Sequence, residues 1–291
     1  MIIEKINQYL QSQIKQYPCH TNRASEIGHP CERYLVFNRT RWREKEMHDV
    51  SLEYIFREGR EQEKSVLRLM AEAGFDVVEQ QRPFDWREYQ ITGSIDGKVL
   101  IDGEALPLEI KSCAPWIWDK INTLDDLLNA KYDHLRKYPA QLSIYMLCDN
   151  KDKAIFIFKN KSTGHLKELL MHLDLDYAEG LIQKAERVNL AVAEKRTPDP
   201  IDWCETCDRC GYRAICLNDC VREELEIIVD QEMEDNILGW FLFKGDHQKW
   251  LEYDEYRKEK FRGISKLVCG DFLITGKKIG ENGWKTVYTK L

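Results

Sequence analysis

Between Leu106 and Ser112 the chain reads Leu-Pro-Leu-Glu-Ile-Lys-Ser, an apolar run in which two charges, Glu109 and Lys111, stand two residues apart. Residues i and i+2 of a strand project from one face, so the run commits a carboxylate and an ammonium to the same side of a sheet. A second acid, Asp96, precedes Glu109 by a short connection of twelve residues that contains the turn-forming pair Asp102-Gly103. Two acids and a lysine brought together in this way can hold a divalent cation and a water to be deprotonated, which phosphodiester hydrolysis requires.

Two further motifs flank this core in order. Downstream, Tyr138-Pro-Ala-Gln-Leu-Ser-Ile-Tyr145 places Gln141 and Tyr145 four apart, hence on one face if the segment is helical. Upstream, Gly59-Arg-Glu-Gln-Glu63 opens an amphipathic stretch through Val66, Leu67, Leu69, Met70 and Ala73 that stops at Gly74. Asp, a hairpin, then Glu-x-Lys resembles the PD-(D/E)xK nuclease superfamily, and Gln-x-x-x-Tyr resembles its RecB-like branch. That branch carries Gly-x-x-x-His with a metal-binding histidine; this chain has Glu63 there, a departure that still offers a carboxylate suited to Mg²⁺ or Mn²⁺.

The resemblance implies a mixed α/β (α+β) fold, a restriction-endonuclease-like core sheet flanked by helices, with a helical N-terminal part and a small C-terminal module. It also implies site roles. Asp96, Glu109 and the carbonyl of Ile110, with Glu63 as a third acid, are the expected ligands of Mg²⁺ or Mn²⁺. Lys111 orients or helps deprotonate the attacking water and offsets charge in the transition state, and Gln141 and Tyr145 hold the DNA backbone or fix the geometry.

Ten cysteines in a chain with no secretory signal and no apolar run long enough for a membrane span argue for a reducing, cytoplasmic setting and against a disulfide framework. Four of them form Cys204-x2-Cys207-x2-Cys210-x5-Cys216, with Cys220 close behind, and this spacing suits Zn²⁺ or an iron–sulfur cluster equally on chemistry alone. RecB-like nucleases of the AddB type and of CRISPR adaptation carry one cysteine before the nuclease motifs and three after them as C-x2-C-x5-C. By that resemblance Cys31, Cys207, Cys210 and Cys216 hold a cluster, 4Fe-4S in the first instance, that staples the N-terminal part to the end of the core. A local zinc site on Cys204, Cys207, Cys210 and Cys216 is the rival. Cys19, Cys113, Cys148 and Cys269 are isolated and read as small buried apolar residues.

A net charge of -7 runs against nonspecific affinity for nucleic acid until the charges are located. Arg33, Arg39, Arg41, Arg43 and Lys45 cluster after Cys31, and Arg57 and Arg60 precede Glu63, so a local basic groove is expected. Periodicity predicts a helix over 2–16, a second helix capped by Ser25 that carries Cys31 and Tyr34 to Val36, and helices over 131–149 and 177–195. Strands are predicted at 75–78, 90–95, 98–101 and 106–112, forming a meander around Asp96 and Glu109, and at 154–159 and 165–172. Residues 1–220 are expected to form the nuclease domain. Residues 221–291 form a separate module, with one or two helices broken near Gly239 and Gly245, then strands at 268–275 and 286–290 joined by the glycine-rich turn 276–283. The aromatics of this module are expected to be core rather than base-stacking surfaces, whereas Trp116 and Trp118 beyond Lys111 either line a single-strand channel or are buried against the following helix.

The function these expectations add up to is a metal-dependent DNA exonuclease acting on DNA ends or single strands in recombination, repair or phage DNA processing. A CRISPR spacer-acquisition nuclease is the alternative within the family; a protein partner from either pathway, or self-association, goes with these settings. A non-catalytic DNA-binding or assembly subunit with a structural metal cluster is the alternative from another class.

Overall fold

The computed structural model of the chain describes residues 1–202, 204–216, 227–228, 230–243, 246–279 and 283–290. It divides into two compact units, Met1–Ile201 with Cys210–Tyr212, and Asp202–Arg209 with Arg213–Leu291. The boundary expected at 220 lies outside the described residues, as does Cys220. No helix among the described residues is long and apolar enough to cross a membrane.

In the first unit the elements run α1 (Ile2–Gln13), β1 (Asn22–Arg23), α2 (Ala24–Ile27), α3 (Glu32–Thr40), α4 (Val50–Glu72), β2 (Val77–Val78), β3 (Arg82–Trp86), β4 (Ile91–Ile95), β5 (Gly97–Ile101) and β6 (Glu104–Cys113). There follow α5 (Pro115–Trp118), α6 (Leu124–Leu128), α7 (Asp133–Cys148), β7 (Lys153–Asn160), β8 (Leu166–His172) and α8 (Leu175–Ala193). The fold is mixed α/β, as the sequence implies. Its core is a five-stranded sheet of order β2-β5-β6-β7-β8, in which β6 and β7 are parallel and the other pairs antiparallel. A parallel pair cannot be closed by a tight hairpin, and the chain crosses between β6 and β7 through α5, α6 and α7.

Each face of this sheet is covered by helix. Leu106, Leu108 and Ile110 of β6 join Ile155 and Ile157 of β7 beneath Val66, the one fully buried side chain of α4. Phe156 and Phe158 point the other way, into a larger core with Leu142, Tyr145 and Met146 of α7 and Leu181, Ala185 and Val188 of α8. Glu109 and Lys111 are in register with Phe156 and Phe158, so the two charges lie on the α7 face, inside the larger core.

The single meander expected around Asp96 is corrected. β4 belongs to a separate three-stranded sheet of order β1-β4-β3, and Asp96 is the residue at which the chain leaves that sheet for β5 of the larger one. Both partners of β4 were missed: β1 is only two residues long, and β3 contains Pro83, which a strand tolerates here because β3 is an edge. The helix expected to run from a Ser25 cap through Cys31 is also corrected. Ser25 lies inside α2, the chain breaks at Gly28, and Cys31 itself caps α3 by accepting the Tyr34 N–H at 3.4 Å. Gly28 is required by proximity, since a Cβ there would stand 2.7 Å from Ala140 Cβ of α7.

The second unit contains helices Gln231–Leu242 and His247–Lys260 and a four-stranded sheet of strands Gly283–Lys290, Phe272–Ile279, Lys266–Cys269 and Ile227–Ile228 in that order. Gly239 does not break its helix; a Cβ there would fall 2.5 Å from the Tyr253 ring, so close packing accounts for the glycine. The strand expected over 268–275 is two strands, divided by a turn at Gly270 with φ of 53°. The turn expected over 276–283 is shorter, because the strand continues to Ile279 and residues 280–282 lie outside the described residues. The aromatics pack on one another and on Arg257, whose guanidinium lies 4.0 Å from the Trp240 ring and 4.2 Å from that of Tyr288.

Leu142, fully buried between α7 and the sheet, is expected to cost about 2–5 kcal/mol of unfolding free energy when replaced by alanine. Leu69→Ala, on the half-exposed side of α4, should stay within about 0.5 kcal/mol of the parent, and urea unfolding of the two variants checks both.

Candidate active site

Glu109 is fully buried in the middle strand of the five-stranded sheet. Its Oε1 meets the Lys111 ammonium at 2.5 Å as an ion pair, and neither carboxylate oxygen accepts an aligned hydrogen bond. Burial pushes the Glu109 carboxyl up to about 8; the Lys111 charge opposes this, and the neighbouring Asp96 and Glu63 add to it. For Lys111, burial alone favours loss of the proton, but Glu109, Tyr138 and Asp96 outweigh it and hold the ammonium well above the usual lysine range. The ammonium also sits over the Tyr138 ring, 4.9 Å from its centre.

Asp96 faces this pair from the junction of the two sheets. Its Oδ2 accepts the Ile110 N–H at 2.8 Å, a bond across the gap between the β4–β5 junction and β6. Ile110 was expected to contribute its carbonyl; the contact the structure gives it is through its amide. Burial raises the Asp96 carboxyl above the ordinary range, opposed by Lys111, the Ile110 N–H and Gln81. Glu63 arrives from α4, one turn before Val66, and burial and then Asp96 raise its carboxyl too. The side chain that joins these two acids, Gln81, was not anticipated. Its Nε2 donates to Glu63 Oε1 at 2.6 Å and to Asp96 Oδ1 at 3.2 Å. No motif carries Gln81, and only the turn that brings residues 79–81 back past Asp96 makes it a neighbour.

Gln141 and Tyr145 are buried and serve the scaffold. Gln141 Nε2 donates to Tyr145 Oη at 2.8 Å, and Tyr145 Oη donates to the Ser94 carbonyl at 2.6 Å. The Tyr145 ring meets Phe84 of β3 edge-on. These contacts tie α7 to the strand that leads into Asp96.

The structure thus brings together Glu63, Asp96, Glu109 and Lys111, with Gln141 and Tyr145 behind them. Among the described residues no three of His, Cys, Asp and Glu stand close enough as they lie to hold one ion. The Gln81 amide bonds to both Glu63 and Asp96, and the Lys111 ammonium lies against Glu109. By chemistry the donor set, three carboxylates with one of them wholly buried, fits a hard divalent cation.

The cysteine set falls on both units. Cys31 and Cys210 lie in the first, where burial and then the nearby Cys31 raise the Cys210 thiol above its ordinary value, and Cys207 and Cys216 lie in the second. The segment Cys210–Tyr212 docks on α3: Tyr212 Oη donates to Asn38 at 3.0 Å, its ring meets Tyr34 and Phe37 edge-on, and the Gly211 carbonyl accepts the Glu46 N–H at 2.7 Å. Cys210 Sγ accepts the Tyr212 N–H at 3.4 Å, as Cys31 accepts that of Tyr34. Of the isolated cysteines Cys113 and Cys269 are buried as expected, whereas Cys19 is partly exposed and Cys148 exposed.

The basic groove expected from the cluster after Cys31 is corrected. Arg33 is buried, Arg39 is bound to Asn189 and Gln90, and Arg41 pairs with Glu44. Arg57, Arg60 and Lys64 of α4 line a separate open cleft of about 520 Å³ with Tyr9 and Tyr54, but Glu58 and Glu61 line it too, and none of the site acids does. Trp116 is half-exposed against Tyr132, and Trp118 is held inward by its indole N–H on the Phe158 carbonyl.

No family model matches the sequence, and no curated protein sequence does. Among solved structures, the chain is similar to that of a protein designated SSO0001, with 17% identity, a TM-score of 0.45, and coverage of 74% of this chain and 96% of the other. It is also similar to LHK-Exo, an alkaline exonuclease from Laribacter hongkongensis, with 14% identity, a TM-score of 0.41, and coverage of 65% and 93%. A complex of LHK-Exo with dAMP gives 16% identity and a TM-score of 0.41 over 60% of this chain and 89% of the other.

Tyr145→Phe should lower stability by about 1–3 kcal/mol in urea unfolding, because it leaves the buried Gln141 amide and the Ser94 carbonyl without their shared partner.

Proposed function

We propose that the chain is a metal-dependent nuclease with Asp96, Glu109 and Glu63 as the ligands of Mg²⁺ or Mn²⁺. The observation that carries the reading is the Glu109 carboxyl, wholly buried, with the Lys111 ammonium as its one cationic neighbour and two more acids beside it. Such an assembly is costly unless a cation compensates it. A bound divalent ion would polarise the phosphoryl oxygen and lower the pKa of water for attack.

The residues of the chain supply position and charge. The Ile110 N–H fixes the direction of Asp96, and Tyr145 and Gln141 fix the strand that carries it. Lys111, held protonated, is suited to orienting a water and to offsetting the charge that builds on the phosphoryl oxygens, rather than to accepting a proton. DNA as the substrate belongs to the same proposal: Arg57, Arg60 and Lys64 of the α4 cleft offer phosphate contacts beside Glu58 and Glu61, and Tyr9 and Tyr54 offer ring faces for unpaired bases.

The finer reading, an exonuclease of recombination, repair or phage DNA processing, rests on the order of the motifs in the sequence. The same order supports an iron–sulfur cluster on Cys31, Cys207, Cys210 and Cys216. The neighbouring thiols of Cys31 and Cys210, each receiving a backbone N–H, suit that ligand type.

Incubated with end-labelled DNA and Mg²⁺ or Mn²⁺, the wild type should shorten the label, and Lys111→Ala should not. Asp96→Asn, which keeps an acceptor for the Ile110 N–H, should also be inactive with an unchanged circular dichroism spectrum; cleavage at the wild-type rate by Asp96→Asn would sink the site assignment. Protein purified without oxygen should contain iron and absorb visible light, and Cys31→Ser and Cys210→Ser should lose both, whereas zinc with no colour would assign the rival metal.

A further inference from the structure

Glu63 and Asp96 come from different elements, α4 and the β4–β5 junction, and one atom joins them. Gln81 Nε2 lies 2.6 Å from Glu63 Oε1 and 3.2 Å from Asp96 Oδ1. A carboxamide nitrogen carries two hydrogens, one for each carboxylate, so both acids converge on a single partly positive point.

The backbone is bent to put it there. Gln81 has φ of 51°, in the left-handed region that residues with a Cβ seldom adopt, and its own N–H faces the Asp96 carbonyl at 3.4 Å. The next residue, Arg82, is already paired with Ile95 in the regular ladder of β3 and β4.

The two acids do not need Gln81 to keep their places. Asp96 is held by the Ile110 N–H at 2.8 Å, and Glu63 rides on a helix anchored by Val66. What the amide adds is compensation of charge at the point where they meet. A divalent ion held by these two carboxylates would compete with the amide hydrogens for their oxygens.

We propose that Gln81 is a built-in counter-ligand: its amide hydrogens compete with a divalent ion for the oxygens of Glu63 and Asp96. Gln81 thereby sets the free metal concentration at which the site fills. This rests on the reading of Glu63 and Asp96 as metal ligands, and the test separates the two.

The full chain, stripped with chelator, is titrated with Mn²⁺ while the free ion is followed by electron paramagnetic resonance. Gln81→Asn keeps a residue that tolerates the left-handed backbone but is one methylene too short to bridge the acids. It is expected to bind Mn²⁺ about tenfold more tightly than the wild type, because two charge-assisted hydrogen bonds no longer compete. Gln81→Lys, which puts an ammonium at the same point, is expected to lose Mn²⁺ binding. Unchanged or weaker binding by Gln81→Asn, or undiminished binding by Gln81→Lys, overturns the proposal while leaving the metal site intact if Asp96→Ala abolishes binding. Mn²⁺ binding retained in Asp96→Ala overturns the site reading and the proposal with it.

Discussion

A carboxylate buried in the central strand of a sheet is the constraint around which the first unit is arranged. Removing an ion of that size from water costs several kcal/mol even after relaxation, and Glu109 recovers part of this through Lys111 two residues along the same strand. Both residues share a face with Phe156 and Phe158, so the pair cannot turn to solvent without opening the larger core. The apolar neighbours Leu108 and Ile110 are committed to α4 on the opposite face, which fixes the strand's orientation from the other side.

The other site residues are delivered to that fixed point by elements with separate anchors. Asp96 sits where the chain passes between two sheets, and its bond to the Ile110 N–H couples them. The Gln141–Tyr145–Ser94 chain holds α7 to the strand leading into Asp96, and Val66 holds the helix that brings Glu63. Each acid is therefore delivered by the packing of its own element, against the repulsion of the other acids. That separation of scaffold from charge leaves room for a group such as the Gln81 amide to influence the electrostatics without determining the geometry.

The acidic total of the chain proved a poor guide to its local surface. Five basic residues after Cys31 read in sequence as a groove, yet Arg33 packs within the fold, Arg39 bonds to Gln90 and Asn189, and Lys45 lies over the rings of Tyr34 and Tyr212. A guanidinium with an apolar stem serves packing as readily as phosphate contact, and sequence alone does not separate the uses. Along α4, Arg57, Arg60 and Lys64 line an open cleft, but they alternate with Glu58 and Glu61, so the charge there is mixed.

Much was legible without coordinates because it depends on local periodicity. The period of two placed Glu109 and Lys111 on one face of β6, and the spacing of four placed Gln141 and Tyr145 on one face of α7. The apolar stripe after Gly59 marked the latter part of α4, and the strands β4 to β8 emerged within a few residues of their ends. What tertiary structure alone decided was which of these segments meet. The division of the Asp96 and Glu109 strands between two sheets depends on β1 and β3, one too short and one carrying a proline, neither with a periodic signal strong enough to register. The inward course of Tyr145 depends on a carbonyl 51 residues away, and the place of Gln81 depends on a left-handed turn of the backbone. Periodicity reports the face on which a side chain lies; the neighbour it finds there is set by long-range packing, which no local pattern encodes.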